Sequence, residues 1–141
     1  MTKEIWLNLP VKNVQRSVIF FKALGFSFNA DPEEAAICAC LLMGEKNTAI
    51  MLFEENVFNN FTQHPLTDTT KSSEILISFD AQSEKEVDEM AAKAEKAGAN
   101  VFGKPTAIQG WMYGFAFADP DGHRWNMVYM DKSKMPQDCK V

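Results

Sequence analysis

Long apolar runs are missing from the sequence. No stretch approaches the roughly 20 residues that span a bilayer, and "MTKEIWLNLP" lacks the apolar core of a signal peptide. The three cysteines, an odd number, fit a reducing compartment better than a disulfide scaffold. We therefore expect a cytoplasmic protein with no membrane partner.

Clusters of basic residues are missing as well. The net charge is −5, and Lys and Arg are scattered except for Lys132, Lys134 and Lys140 near the polar C-terminal end. Because phosphate binding needs grouped positive charge, this distribution argues against a nucleic-acid partner.

Histidine is scarce, and cysteine is not arranged for catalysis. Of the two histidines, His64 lies in a polar segment and His123 follows a turn, so neither is placed to activate a nucleophile. Cys38 and Cys40 project from one face of a predicted strand and lack further ligands. We interpret them as buried, unreactive thiols.

What the sequence does contain is an internal repeat. "IWLNLPV", "NVQRSVIFFKALG" and "FSFNA" are followed later by "EILISFDA", "SEKEVDEMAAKAEKAG" and "ANVFGKP". Each series predicts a strand, a capped helix and a further strand; the helices are expected to begin after Asn13 and Ser83 and to end at Gly25 and Gly98. Two further strand-like runs follow in each half, so the order βαβββ occurs twice.

The chain of 141 residues is therefore expected to form one α+β domain, residues 1–141. Its expected parts are a first βαβββ module at 1–53, a connection at 54–73, a second module at 74–131 and a polar tail at 132–141. The strands after the helices are predicted at 26–30, 35–43, 47–53, 100–103, 112–118 and 123–130. "ENVFNNF" in the connection predicts a short helix.

The segments "LPVKNVQRSVIFFKALGF" and "FADPDGHRWNMVYMD" resemble the vicinal oxygen chelate superfamily of glyoxalase I, extradiol dioxygenases and fosfomycin and bleomycin resistance proteins. The resemblance implies two curved mixed sheets that form a cleft, and frequently a dimer. It also implies four inward positions that hold a divalent metal in the metal-dependent members. Those positions fall here on Trp6, Met51, Leu76 and Asn126.

These four side chains are poor ligands for a divalent metal, because such sites need imidazole and carboxylate groups. We expect no metal and no other cofactor. Because side chains alternate along a strand, we expect the cleft between the modules to be an apolar pocket with few polar groups. Arg124 is a further candidate for one of these polar groups. The expected ligand-binding residues are Trp6, Asn8, Met51, Phe53, Leu76, Ser78, Trp111, Phe115 and Asn126.

The sequence favours a metal-free homodimer that binds a small aromatic or apolar molecule. The negative net charge and the aromatic residues could favour a cationic ligand. "FSFNA" and "VFGKP" are candidates for the dimer contact. Two alternatives stay open: a lyase, isomerase or dioxygenase with an atypical site, and a structural or regulatory dimer whose cleft is filled by its own side chains.

Overall fold

The structure is a computed structural model that describes residues 1–30 and 32–140. Residue 31 of the first expected module and residue 141 of the expected tail lie outside the described residues. The chain divides into two compact units: Met1–Ser73 with Pro120–Gly122, and Glu74–Asp119 with His123–Val141. Each unit is built on a four-stranded mixed sheet, so the predicted α+β class is confirmed.

The first unit contains a sheet with the strand order β1-β4-β3-β2. β1 and β4 are parallel, and the other two neighbouring pairs are antiparallel. The elements are β1 (Leu7–Val11), α1 (Val14–Ala23), β2 (Ser27–Asn29), β3 (Cys38–Met43), β4 (Thr48–Glu54) and α2 (Glu55–Thr62). The short helix predicted in the connection is therefore confirmed as α2.

The second unit repeats this arrangement with the order β5-β8-β7-β6, in which β5 and β8 are the parallel pair. Its elements are β5 (Leu76–Ala81), α3 (Glu84–Lys96), β6 (Asn100–Ile108), β7 (Met112–Ala118) and β8 (Arg124–Met130). Two short 3-10 turns, Lys132–Lys134 and Gln137–Cys139, follow in the tail.

Both predicted helix caps are present. The Asn13 side chain accepts a hydrogen bond from the Arg16 N–H at 2.9 Å, and the Ser83 hydroxyl accepts one from the Glu86 N–H at 3.1 Å. The Glu86 carboxylate turns back toward the chain entering α3 and accepts from the Gln82 N–H at 2.6 Å. These bonds satisfy backbone donors that the first turn of a helix leaves free.

The strand predicted at 100–103 was too short, since β6 continues to Ile108. The continued strand contains Pro105, which cannot donate to a sheet ladder. β6 is an edge strand, however, and its pairing with β7 shifts register on both sides of Gly103. An irregular edge strand tolerates proline, so the strand passes through it.

The core of each unit lies between its sheet and its long helix. In the first unit Val14, Val18 and Phe21 of α1 are buried, as are Leu41 and Leu52 of the sheet. In the second unit Phe117 and Trp125 are fully buried and stacked with ring centroids 6.3 Å apart. The Trp125 ring nitrogen donates to the buried Asp119 carboxylate at 3.0 Å. These layers leave the opposite side of each sheet as the candidate for function.

The turn Pro120–Gly122 belongs to the first unit although it connects β7 to β8. Asp121 accepts hydrogen bonds from the Lys12 N–H and the Arg16 guanidinium, each at 2.8 Å, and from the Ser17 hydroxyl at 3.3 Å. Thr69 donates to the Asp121 carbonyl at 2.6 Å. The turn is thereby fixed at the N-terminus of α1.

Within the part of the chain that is described, no helix is both long enough and apolar enough to cross a membrane.

Candidate ligand-binding faces

The side of the first sheet that turns away from α1 is the first open face. Register places Asn8 of β1 beside Met51 of β4, and Met51 beside Cys40 of β3. Phe53 pairs with Cys38 at the next position along the same face. These side chains are exposed or half-buried, whereas their strand neighbours Leu9, Leu41 and Leu52 are buried against the helix. The alternation predicted for Asn8, Met51 and Phe53 therefore places them on one face.

Trp6 lies just before β1, two residues from Asn8, and is 54% exposed. The helix α2 follows β4 directly, and the Phe61 ring of α2 contacts the Phe53 ring edge-to-face with centroids 5.3 Å apart. The first open face thus carries a thioether and a pair of phenyl rings near Asn8, and the exposed indole of Trp6 lies just before β1. This composition suits a planar apolar molecule.

Cys38 and Cys40 belong to the first open face and are half-buried rather than fully buried. Burial raises the pKa of the Cys40 thiol above its ordinary value, and the neighbouring Cys38 raises it further. The raised pKa keeps Cys40 protonated near neutral pH, which fits the low reactivity predicted for it.

The side of the second sheet that turns away from α3 is the second open face. Ser78 of β5 pairs with Asn126 of β8, and Asn126 pairs with Ala116 of β7. Leu76, which is 53% exposed, pairs with Arg124 on the same face. The intervening residues Ile77, Trp125 and Met127 are buried on the helix side. Three predicted site residues, Leu76, Ser78 and Asn126, are therefore neighbours.

The two open faces repeat one register. Asn8 stands opposite Met51 in the first sheet, and Ser78 stands opposite Asn126 in the second. A small polar residue on the first strand of each module thus faces a residue that the family resemblance assigns to metal binding. The pairing shows that Met51 and Asn126 occupy equivalent positions in the two sheets, and a slip of one residue would move them to the other face.

Asn126 has an unusual environment for an amide. Its Oδ1 atom is buried and has no hydrogen-bond partner among the described residues. Its cross-strand neighbours in the sheet are Ser78 and Ala116. A buried polar atom without a partner costs about 1–3 kcal/mol, so it marks a place where a partner is expected.

Phe115 was wrongly placed on the binding face. It is 3% exposed, pairs with the buried Met127, and stacks on Phe117 with ring centroids 5.5 Å apart. Because Phe117 packs on Trp125, the alternation of β7 directs both phenyl rings to the helix side. Phe115 is therefore a core residue of the second unit.

Trp111 lies just before β7 and is 9% exposed, so it is not freely accessible either. Its backbone carbonyl accepts from the Asp131 N–H at 2.8 Å, and its ring nitrogen is buried with no partner among the described residues. Its binding role stays a prediction, as does the cleft expected between the modules.

Sequence reasoning missed Phe102. In the structure the Arg124 guanidinium carbon lies 4.2 Å from the centroid of the Phe102 ring. The interaction joins β8 to the edge strand β6, which are not neighbours in the sheet. The register shifts of β6 set the position of Phe102, and no local sequence pattern reveals them.

The donor chemistry of the four resemblance positions does not fit a divalent metal. Trp6 and Leu76 offer no donor atom, Met51 offers a thioether and Asn126 an amide. Among residues 1–30 and 32–140, no group of three or more His, Cys, Asp or Glu side chains is placed to hold a metal ion.

Two βαβββ units with apolar open faces and a D-P-D-G turn define a glyoxalase-like class of protein. The chain belongs to the Glyoxalase/Bleomycin resistance protein/Dioxygenase superfamily, whose model matches residues 5–127. No curated protein matches the chain.

Solved structures share this fold. A hypothetical protein from S. aureus, SA1046, is 34% identical, with a TM-score of 0.81 over 92% of this chain and 95% of that one. A family enzyme from Burkholderia phytofirmans PsJN is 17% identical, with a TM-score of 0.75 over 89% and 96%. The fosfomycin resistance protein FosX from Listeria monocytogenes is 18% identical, with a TM-score of 0.66 over 90% of each chain.

Proposed function

We propose that this protein binds a small molecule with an aromatic or apolar body on its open faces, without a metal. The single observation that carries the proposal is the buried, unpartnered amide oxygen of Asn126 beside Ser78 and Leu76. An amide in this setting gains a hydrogen bond when a ligand donor reaches it, and the apolar neighbours contribute by burying ligand surface.

The first open face supports the same function through different groups. Trp6 presents an exposed indole, and Met51 presents a flexible thioether beside Asn8. Met adapts to ligands of irregular shape, and an indole stacks on planar rings. Reversible binding of this kind requires no titratable cluster, which agrees with the donor chemistry of the site.

A neutral aromatic dye, N-phenylnaphthylamine, tests the proposal by fluorescence titration. We expect saturable binding of the dye, unchanged after dialysis against a chelator. Trp6→Ala should weaken binding roughly tenfold, because a stacked aromatic pair contributes about 0.5–1.5 kcal/mol beyond its buried area. Ile19→Ala is the matched control, since Ile19 is an apolar residue of α1 that is 68% exposed.

Absence of saturable binding by the wild-type protein would refute the proposal. If Trp6→Ala leaves dye affinity unchanged but lowers the melting temperature, Trp6 is a packing residue and the first open face loses its role. Equal losses in Trp6→Ala and Ile19→Ala would show that the dye reports general surface apolarity.

A further inference from the structure

Arg124 begins β8 and lies on the second open face. It pairs with Leu76 of β5 and Ala118 of β7, and it precedes Asn126 by two residues on the same side of the strand. Arg124 is half-buried, so part of its guanidinium is removed from water. The positive charge of Arg124 thus lies two residues along β8 from the unpartnered amide oxygen of Asn126.

The Phe102 ring holds this guanidinium. The 4.2 Å distance from the guanidinium carbon to the ring centroid is that of a cation–π contact. Phe102 is itself 47% exposed, so the stacked pair remains accessible. Stacking covers one surface of the guanidinium and leaves its N–H edges, which point outward in the guanidinium plane, free to donate hydrogen bonds.

No carboxylate among the described residues forms an ion pair with Arg124; ion pairs such as Arg16–Asp121 and Lys85–Glu89 lie elsewhere. Asp80 shares the face but stands opposite Val128, four residues along β8, which is about 13 Å at the usual strand rise. It accepts instead from the Gln82 amide at 3.1 Å. Within the described residues, the guanidinium is therefore not held in an ion pair.

We propose that Arg124 is an anion anchor, and that the ligand carries a carboxylate, phosphonate or sulfonate group on its apolar body. A guanidinium binds such groups through two parallel hydrogen bonds. The inference rests on the proposed function and specifies its ligand class. It also opposes the cationic ligand suggested by the net charge of −5, because charge within the site outweighs charge elsewhere on the surface.

Two dyes that differ in one group test the anchor. Anilinonaphthalene sulfonate carries the same ring system as N-phenylnaphthylamine with an added sulfonate. Arg124→Gln should lower the affinity for the sulfonate dye about 10- to 100-fold, because a charge-assisted hydrogen bond is lost. The affinity for the neutral dye should change by less than about twofold. Arg124→Lys should fall between the wild type and Arg124→Gln.

Lys93→Gln, which removes the same charge from exposed α3, is the matched control and should change neither affinity. Melting temperatures verify that each variant is folded. If the neutral dye binds and Arg124→Gln leaves the sulfonate dye unchanged, or weakens both dyes equally, the anion anchor is wrong while the proposed function stands. If the neutral dye fails to bind the wild type, the proposed function itself fails.

Discussion

At the scale of the residue, the environment of Asn126 bears both on stability and on the proposed binding of a ligand. Its amide oxygen is buried and unpartnered within the described structure, while the alternating neighbours Trp125 and Met127 are well packed in the core. Such a residue lowers the stability of the unliganded fold and offers a hydrogen bond to a ligand. The two effects can be measured separately.

We predict that Asn126→Leu stabilises the unliganded protein and weakens dye binding. Leucine has nearly the shape of asparagine and removes the unpartnered oxygen, so the free energy of unfolding should rise by about 1–2 kcal/mol. Urea unfolding monitors stability, and fluorescence titration with N-phenylnaphthylamine monitors binding. Asn100→Leu, at the exposed start of β6, should change stability by less than about 0.5 kcal/mol.

The opposite pattern would contradict this reading of Asn126. If Asn126→Leu lowers the free energy of unfolding and leaves dye affinity intact, the amide supports the fold through hydrogen bonds of its own. The second open face would then lose its polar anchor.

At the scale of the element, the turn Pro120–Gly122 and the helix α1 depend on each other. The Asp121 side chain is only 5% exposed and lies at the N-terminus of α1, where a negative charge is favourable. Its partner Arg16 is 45% exposed, so solvent screens that ion pair. Most of the stabilisation is therefore expected from the hydrogen bonds of Lys12 N and Ser17 Oγ with the carboxylate.

We predict that Asp121→Asn lowers the free energy of unfolding by about 1–3 kcal/mol, because a neutral amide replaces an acceptor of charge-assisted hydrogen bonds. Urea unfolding measures the change. Asp138→Asn, in the exposed tail, removes the same charge and should leave stability nearly unchanged. Equal stabilities of Asp121→Asn and the wild type would show that the turn does not depend on this carboxylate.

The elements also show what sequence could and could not predict. Asn13 and Ser83 are local signals, since a cap bonds to a backbone group three residues away, and both helices begin where these residues indicate. Asp121 bonds to Arg16 across 105 positions, and no local pattern reports that contact.

Alternation in β7 likewise showed that Phe115 and Phe117 share a face. It did not show which face, because both sides of this strand carry apolar residues. The choice depends on Trp125 and Met127 of the neighbouring strand. The candidate site was therefore predicted where the family resemblance supplied the direction of the side chains, as at Asn126, and missed where packing alone decides it.

At the scale of the whole molecule, the repeated module leaves four edge strands: β1 and β2 in the first sheet, β5 and β6 in the second. β1 contains Pro10, β6 contains Pro105 and register shifts, and β2 has three residues. Proline, irregular pairing and short length all oppose the addition of another strand. Association at β1, β2 and β6 is thus expected through side chains rather than through a continuous sheet, whereas β5 carries none of these features.

We predict a homodimer in which the segment "FSFNA" and its surroundings contribute an apolar contact. Ile37 lies just before β3, the strand that pairs with β2, and is 61% exposed. Sedimentation equilibrium at micromolar concentration should give twice the 15.9 kDa mass of one chain. Ile37→Ser should shift the mass toward that of one chain, since burial of an isoleucine contributes about 1.5–3 kcal/mol.

Ile19→Ser, on the similarly exposed face of α1, should leave the dimer intact. A monomeric wild-type protein would contradict the dimer itself. A dimer that persists in Ile37→Ser would contradict the contact at "FSFNA", and "VFGKP" in β6 would then be the segment to alter. If the dimer forms at "FSFNA", Arg124→Gln should not change the mass. Because Arg124 stacks on Phe102 of "VFGKP", a change in mass would indicate a contact at that segment.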